Sequence, residues 1–398
     1  MSKDAAEPIA EPAQFSNGSA GEVAKLFLKL GTIAFGGPAA HIAMMHNEMA
    51  RRRHWVSEER FLDLLGAANL IPGPSSTELA IYLGYENAGW KGLISAGVCF
   101  ILPAMLMVLA IAWAYVSYGT TPQATWLLYG IKPVIVAIII QALWGLFKTA
   151  AKGPLLVGAG ALVIGLYLLD FNPIALLFGS GLVVMLIKNA RYLAGRQQAN
   201  GTSGVFLSAV GVSTIAGIAS VPFSMSTLFL TFLKLGSVVF GSGYVLLAFL
   251  RNDFVHRLGW LTDRQILDAV AVGQFTPGPV FTTATFIGYI VGGFYGAVLA
   301  TVAIFLPSFI FVAIVFPVVG MLRRSRWTSG FLDGANVGAL GLMAGVSWQL
   351  GRAAVIDWIT ALLALISCVL VFASKINSAW LVLGGAAAGL IIQQLFAT

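Results

Sequence analysis

The chain has 398 residues, of which 58% are hydrophobic and only 10% charged, where soluble domains carry roughly a quarter charged residues. With a mean hydropathy of +0.88, this excludes a soluble globular protein and indicates a polytopic membrane protein. The net charge of +7 sits in short loops beside apolar segments, where basic residues report membrane orientation rather than nucleic-acid binding.

Residues 1–22 carry Lys3, Asp4, Glu7 and Glu11 with Pro8 and Pro12 and lack an apolar core, so they read as a disordered leader, not a signal peptide. The apolar pattern then predicts helices at about 23–50, 57–70, 75–88, 90–117, 122–149, 154–169 and 173–189, which make a first repeat over 23–200. Residues 201–224, apolar but rich in Gly and Ser, read as a linker. A second repeat over 225–398 has helices predicted at about 225–256, 262–275, 280–292, 294–321, 330–350, 354–374 and 378–396. Cys99 and Cys368 lie in apolar stretches with no second Cys or His at ligand spacing, so neither a disulfide nor a metal site is implied.

The two repeats are copies in one register. Lys29, Phe35-Gly36, Asn47-Glu48, Trp55, Asp63 and Pro72-Gly73-Pro74 recur 205 positions on as Lys234, Phe240-Gly241, Asn252-Asp253, Trp260, Asp268 and Pro277-Gly278-Pro279. A slip of one residue then pairs Pro103 with Pro307 and Trp144 with Trp348.

The second and third stretches of each repeat are about 14 residues, or roughly 21 Å of helix against a hydrocarbon core of about 30 Å. They meet at Pro-Gly-Pro, which removes two backbone donors and bars helix continuity. The pair predicts a re-entrant hairpin with its tip inside the membrane, where irregular backbone is tolerated only if protein buries it or it lines a cavity; an interfacial turn is the plainer alternative. The fold class expected is therefore an all-α membrane protein of two repeats, each with about five transmembrane helices plus a re-entrant helical hairpin. An odd number of crossings makes tandem copies inverted. The cluster Arg323-Arg324-Arg326, which follows a long helix whose first-repeat counterpart ends uncharged near 118, agrees. Arg251, Arg257 and Arg264 argue the other way, and both termini come out non-cytoplasmic on this count.

Ionisable and hydroxyl groups in such segments are functional candidates. Lys29 and Lys234 suit an anionic substrate, or snorkel to the interface. The breaks Phe35-Gly36-Gly37-Pro38 and Phe240-Gly241-Ser242-Gly243 expose amides at a helix start that can cradle an oxyanion, and close helix packing is the bland account. Around the tips lie Ser75, Ser76 and Thr77 in one copy and Thr276 and Thr282 in the other. Glu78, which has Thr283 as its counterpart, suits a proton-coupling carboxylate or an interfacial ion pair. His41 suits an oxyanion ligand, a proton relay or a structural group. Glu48 and Asp253, each preceded by Asn (Asn47, Asn252), suit gating ion pairs or helix-end charges. Asp63 and Asp268 are matched candidates for coupling or gating, with pairing to Lys29 or Lys234 open. No nucleotide-binding loop, His-Glu-x-x-His pair, aspartate dyad or Ser-Lys arrangement is present, so no catalytic residues, cofactor or metal are assigned.

These residues carry a resemblance. Phe35-Gly36-Gly37-Pro38 with His41, Trp55 at fixed spacing before Pro72-Gly73-Pro74, and the corresponding Phe240 to Gly243, Trp260 and Pro277-Gly278-Pro279 resemble the chromate ion transporter family in its long two-domain form. The resemblance implies export of chromate across the bacterial inner membrane, driven by the proton-motive force, with chromate and protons as ligands and a homodimer left open. Transport of sulfate or another oxyanion on the same architecture is the alternative, and a membrane-embedded enzyme or scaffold the remote one. Gly243 for Pro38 and Leu246 for His41 put symmetric binding in doubt.

Overall fold

The computed structural model describes residues 18–119, 121–197, 221–240, 243, 245–318, 325–374, 376 and 378–396. All the regular structure among them is helical: α1 Ala20–Ile33, α2 Gly37–His46, α3 Glu58–Ala68, α4 Ser75–Tyr118, α5 Pro122–Ala150, α6 Pro154–Leu168, α7 Pro173–Gln197, α8 Met225–Val238, α9 Leu246–Leu250, α10 Asp263–Phe275, α11 Thr283–Val315, α12 Arg326–Ala354, α13 Trp358–Ala373 and α14 Ser378–Phe396. The starts follow local chemistry. Ser19 with Glu22, Thr262 with Gln265 and Asp357 with Thr360 form capping boxes, and Pro122, Pro154 and Pro173 open their helices where no N–H is needed. The leader over residues 1–17, and the linker apart from its last few residues, lie outside the described residues.

Each half carries two helical hairpins. The stretch 23–50 is not one helix: α1 and α2 fold back on each other around Gly36 and Gly37, whose φ values of +104° and +74° reverse the chain. Antiparallel pairing is plain in the second half. Arg257 reaches Thr231 at 3.0 Å, Lys234 reaches Asp253 at 2.7 Å, and the Trp260 indole donates to the Val221 carbonyl at 2.6 Å. This corrects the expectation of five through-running helices per half, because the first of them is a second hairpin. A matched π-helical turn follows α2 and α9, at Asn47–Arg52 and Arg251–Arg257.

The other hairpin is α3 with the N-terminal arm of α4, and α10 with that of α11. Ser75–Tyr118 spans 44 residues but is not one rod. Ala88 and Gly89 leave helical geometry, and a side chain on Gly92 would collide with the carbonyl of Gly84, residues that a straight helix holds about 12 Å apart. The arm 75–87 therefore lies antiparallel to the arm 90–118. Gly292, Gly293, Gly288 and Gly296 repeat the device in α11.

Two bodies result. The hairpins and long arms of both halves pack as one, through Gly31 against the Phe100 carbonyl and Gly236 against that of Ile304. The long arms of α4 and α11 meet at Gly97 and Phe309; Tyr82 and Tyr85 on the short arm of α4 lie beside Phe316 just past the end of α11, and Tyr115 near the end of α4 lies beside Phe286 on the short arm of α11, so the two helices pack antiparallel. The second body holds α5, α6, α7, α12, α13 and α14, again joined through small residues, as Gly130 on Gly385 and Gly389 and Gly334 on Ser180. Large apolar side chains such as Trp113, Trp144 and Trp348 lie exposed on the outside, as lipid allows.

Candidate functional site

Each Pro-Gly-Pro tip has two prolines without an N–H, so the glycine amide is its one donor. Gly73 and Gly278 hold left-handed φ values of +138° and +90°. Gly73 N–H donates to the Val239 carbonyl at 2.8 Å, and Gly278 N–H donates to that of Ala34 at 2.9 Å. Ala34 and Val239 are the residues at which α1 and α8 end, so their carbonyls are free to accept. All four residues are repeat equivalents. The tip of each half thus closes on the helix break of the other, and the reciprocal exchange defines a two-fold relation.

Side-chain chemistry gathers at one tip. His41 is buried between the break and the start of α4, with Nε2 3.0 Å from the Ala34 carbonyl and Nδ1 3.2 Å from Ser76 Oγ. The carbonyl can only accept, so Nε2 carries a proton; in the neutral imidazole Ser76 then donates to Nδ1. Glu78 is wholly buried, and Ser308 donates to its Oε1 at 3.4 Å. Among the described residues its Oε2 has no hydrogen-bond partner, nor have Thr77 Oγ1 and Tyr82 Oη nearby on the same arm. Among the described residues no Lys or Arg lies within ion-pair distance of Glu78. At the other tip, Leu246, Phe281 and Ala104 replace His41, Ser76 and Ser308. There Thr276, Thr282 and Thr283 donate to the carbonyls of Val272, Pro279 and Val280. Gly36, Gly37 and Ser75 sit exposed or half-buried at helix starts around the first tip; Gly243 packs on Val280 at the second, and Gly241 and Ser242 lie outside the described residues.

Lys29 and Lys234 are not at the tips. Lys29 and Arg52 bind Glu48 at 3.4 and 2.6 Å, with Arg53 at 3.5 Å; Lys234 and Arg257 bind Asp253 at 2.6 and 2.7 Å. Asn47 is exposed and Asn252 half-buried beside them. A second matched pair, His46 with Glu58 and Arg251 with Asp263, ties each π-helical turn to the next helix. The hydrogen bond from His46 holds the Glu58 carboxyl below the usual carboxylate range.

Asp268 takes neither Lys29 nor Lys234. It is fully buried on α10, where Tyr115 donates to Oδ2 at 2.9 Å and Lys132 Nζ lies 3.1 Å from Oδ1, an ion pair without a well-directed hydrogen bond. Asp63 is half-buried on α3. Lys132, Tyr115 and Ser308 are absent from the sequence-based candidates. Lys132 had a signal, as the one Asp, Glu, Lys or Arg between Lys91 and Lys148; Ser308 had another, as the counterpart of Ala104 after matched prolines.

A family model described as chromate transporter matches the chain twice, over residues 21–185 and 226–390. The chain is 34% identical to the chromate transport protein of Cupriavidus metallidurans over 374 residues, 93% of this chain and 92% of that protein. It is 34% identical to the probable chromate transport protein of Synechococcus elongatus over 361 residues, covering 87% and 88%, and 32% identical to the chromate transport protein of Pseudomonas aeruginosa over 349 residues, covering 82% and 80%. No solved structure matches.

Proposed function

The chain belongs to the chromate transporter family, and from that premise we propose that it exports chromate across the bacterial inner membrane by alternating access, driven by the proton-motive force. It is a multi-pass membrane protein and a transporter, not an enzyme.

The observation that carries this reading is the reciprocal pair of bonds, Gly73 to Val239 and Gly278 to Ala34. α4 and α11 pack antiparallel, from Tyr82 beside Phe316 through Gly97 on Phe309 to Tyr115 beside Phe286, which supports paired hairpins that enter from opposite faces with their tips near the midplane. With α1 and α2 folded back, parity of crossings no longer argues for the inversion; these contacts support it instead. Gly18 packs on Trp55 beside Arg53, so the start of α1 shares a face with the Arg51–Arg53 cluster, and the positive charge of that cluster supports reading this face as cytoplasmic.

Chromate is a tetrahedral dianion. The amides of Gly36, Gly37 and Ala39 at the start of α2, and those of Ser75 and Ser76 at the start of α4, supply donors without a full counter-charge. The clusters around Glu48 and Asp253 remain net positive and draw the anion toward each mouth. Glu78, buried without a cation, is held at least cost as the neutral acid, since an unpaired buried charge costs several kcal/mol. It takes up and releases a proton as access changes. The test is uptake of radioactive chromate into everted vesicles. Uptake abolished by an uncoupler and resistant to excess sulfate is expected; uncoupler-resistant uptake, or preference for sulfate, overturns the reading.

A further inference from the structure

The two halves are copies, yet they are not in the same environment. Phe35 is 37% exposed and its counterpart Phe240 8%; Leu62 on α3 is 58% exposed and its counterpart Leu267 on α10 1%. Ala43 on α2 is exposed, and Ala248 on α9 is fully buried. The cause lies in how the two bodies meet. The main contacts between them come from the second half, where α9 packs on α7 and α12, and α10 packs on α5, α12 and α14. Phe240 sits against Phe178 and Phe331, and Arg251 donates to Gln349 at 2.7 Å. On the side of the first half, α2 and α3 pack within their own body.

Among the described residues one charge pair, Lys132 with Asp268, lies buried within the closed seam. Lys132 of α5 belongs to the second body and Asp268 of α10 to the first, with Tyr115 donating to the same carboxylate. Their repeat equivalents, Asn336 and Asp63, are exposed and half-buried. Asp268 also lies two to three helical turns from the tip at Pro277, so the pair is not part of the midplane site. Charges this deep are costly unless paired, and separating them requires the seam to open to water.

We infer that Lys132, Asp268 and Tyr115 form the latch that closes the second half's face, and that this structure is the state open on the first half's face. Exchange of the two environments between the repeats gives the opposite state, with Ala248 wet and Ala43 covered. The inference rests on the alternating-access reading but not on the identity of the substrate.

The test uses the full chain with Cys99→Ser and Cys368→Ser, carrying either Ala43→Cys or Ala248→Cys, in vesicles of each orientation without chromate. A membrane-impermeant maleimide should label Ala43→Cys readily and Ala248→Cys slowly. Adding Lys132→Met or Asp268→Asn should raise labelling at position 248 and lower it at 43, changing their ratio by roughly tenfold or more. The charge-exchanged pair Lys132→Asp with Asp268→Lys should restore the original ratio and guards against a single variant that fails to fold. Equal labelling at 43 and 248 in the otherwise unaltered chain, an unchanged ratio in the latch variants, or a rise at both positions together overturns the inference. Reciprocal labelling without chromate flux would sustain the latch and remove the substrate assignment instead.

Discussion

Gly73 donates its amide to the carbonyl of Val239, and the same bond recurs with the halves exchanged, from Gly278 to Ala34. A proline on each side leaves the glycine N–H as the one donor at each tip, and the end of a helix leaves the acceptor free. Each half therefore completes the break in the other, and neither tip has a closed set of hydrogen bonds without its partner.

Substituting the tip glycines should separate this geometry from mere flexibility. A Cβ at Gly73 would collide with the Glu78 carboxyl and lie 2.8 Å from Ser308 Oγ; one at Gly278 would lie 2.8 Å from Ala104 Cβ. Gly73→Ala and Gly278→Ala are each expected to cost about 1–3 kcal/mol, left-handed strain included, and to lower chromate uptake by about tenfold or more. Melting in detergent and vesicle uptake check this; near-native values in both variants would show that the tips are not tightly closed.

Glu78→Gln keeps the volume of the side chain and a group able to accept from Ser308, while removing the titratable proton. Net uptake driven by a pH gradient should fall by about tenfold or more, equivalent to about 1.4 kcal/mol. Exchange of labelled for unlabelled chromate should persist, since it needs no net proton movement. Gradient-driven uptake at the native rate would transfer the coupling role to another residue.

The two matched lysines should respond differently. Lys29 is half exposed, and Glu48 keeps Arg52 and Arg53 when it is lost, so Lys29→Met should change stability by less than about 1 kcal/mol. Asp253 is almost fully buried and keeps only Arg257, so Lys234→Met should cost about 1–3 kcal/mol. Both should slow uptake more at low ionic strength than at high, because each lowers the positive charge at a mouth. Equal destabilisation by the two variants would contradict the difference in burial.

Glu59 and Arg264 are repeat equivalents, both exposed near the starts of α3 and α10. In a chain without Cys99 and Cys368, Glu59→Cys should react with an impermeant reagent from the cytoplasmic face and Arg264→Cys from the opposite one. Labelling of both from one face would make the repeats parallel.

Much of this was legible along the chain. The duplication, the short arms either side of Pro-Gly-Pro and the break at Phe35-Gly36-Gly37-Pro38 follow from residues acting on their own neighbourhood, and the helices predicted over 57–70, 75–88 and 122–149 agree closely with α3, the short arm of α4 and α5, while α7 starts where predicted and runs on to Gln197. The polar asymmetry at Glu78 and His41 was visible too, as differences between copies. The direction of the chain after the break was not, and reading 23–50 as one interrupted helix cost the crossing count. Lys132 has Asn336 as its counterpart, so comparison of the copies does not mark it.

The sequence by itself determined that this protein lies in a membrane, that it is built twice, and where its helices must break, because missing N–H groups and left-handed glycines act locally. Only the tertiary structure decided that α1 and α2 form a hairpin, that Ser308 reaches Glu78, and that Asp268 pairs with Lys132 rather than with a matched lysine. The physical reason is that helices surrounded by lipid are apolar on every side, so periodicity does not reveal which face meets which. Close glycine contacts and the pairing of a few buried polar groups make that choice, and they join residues far apart in the chain.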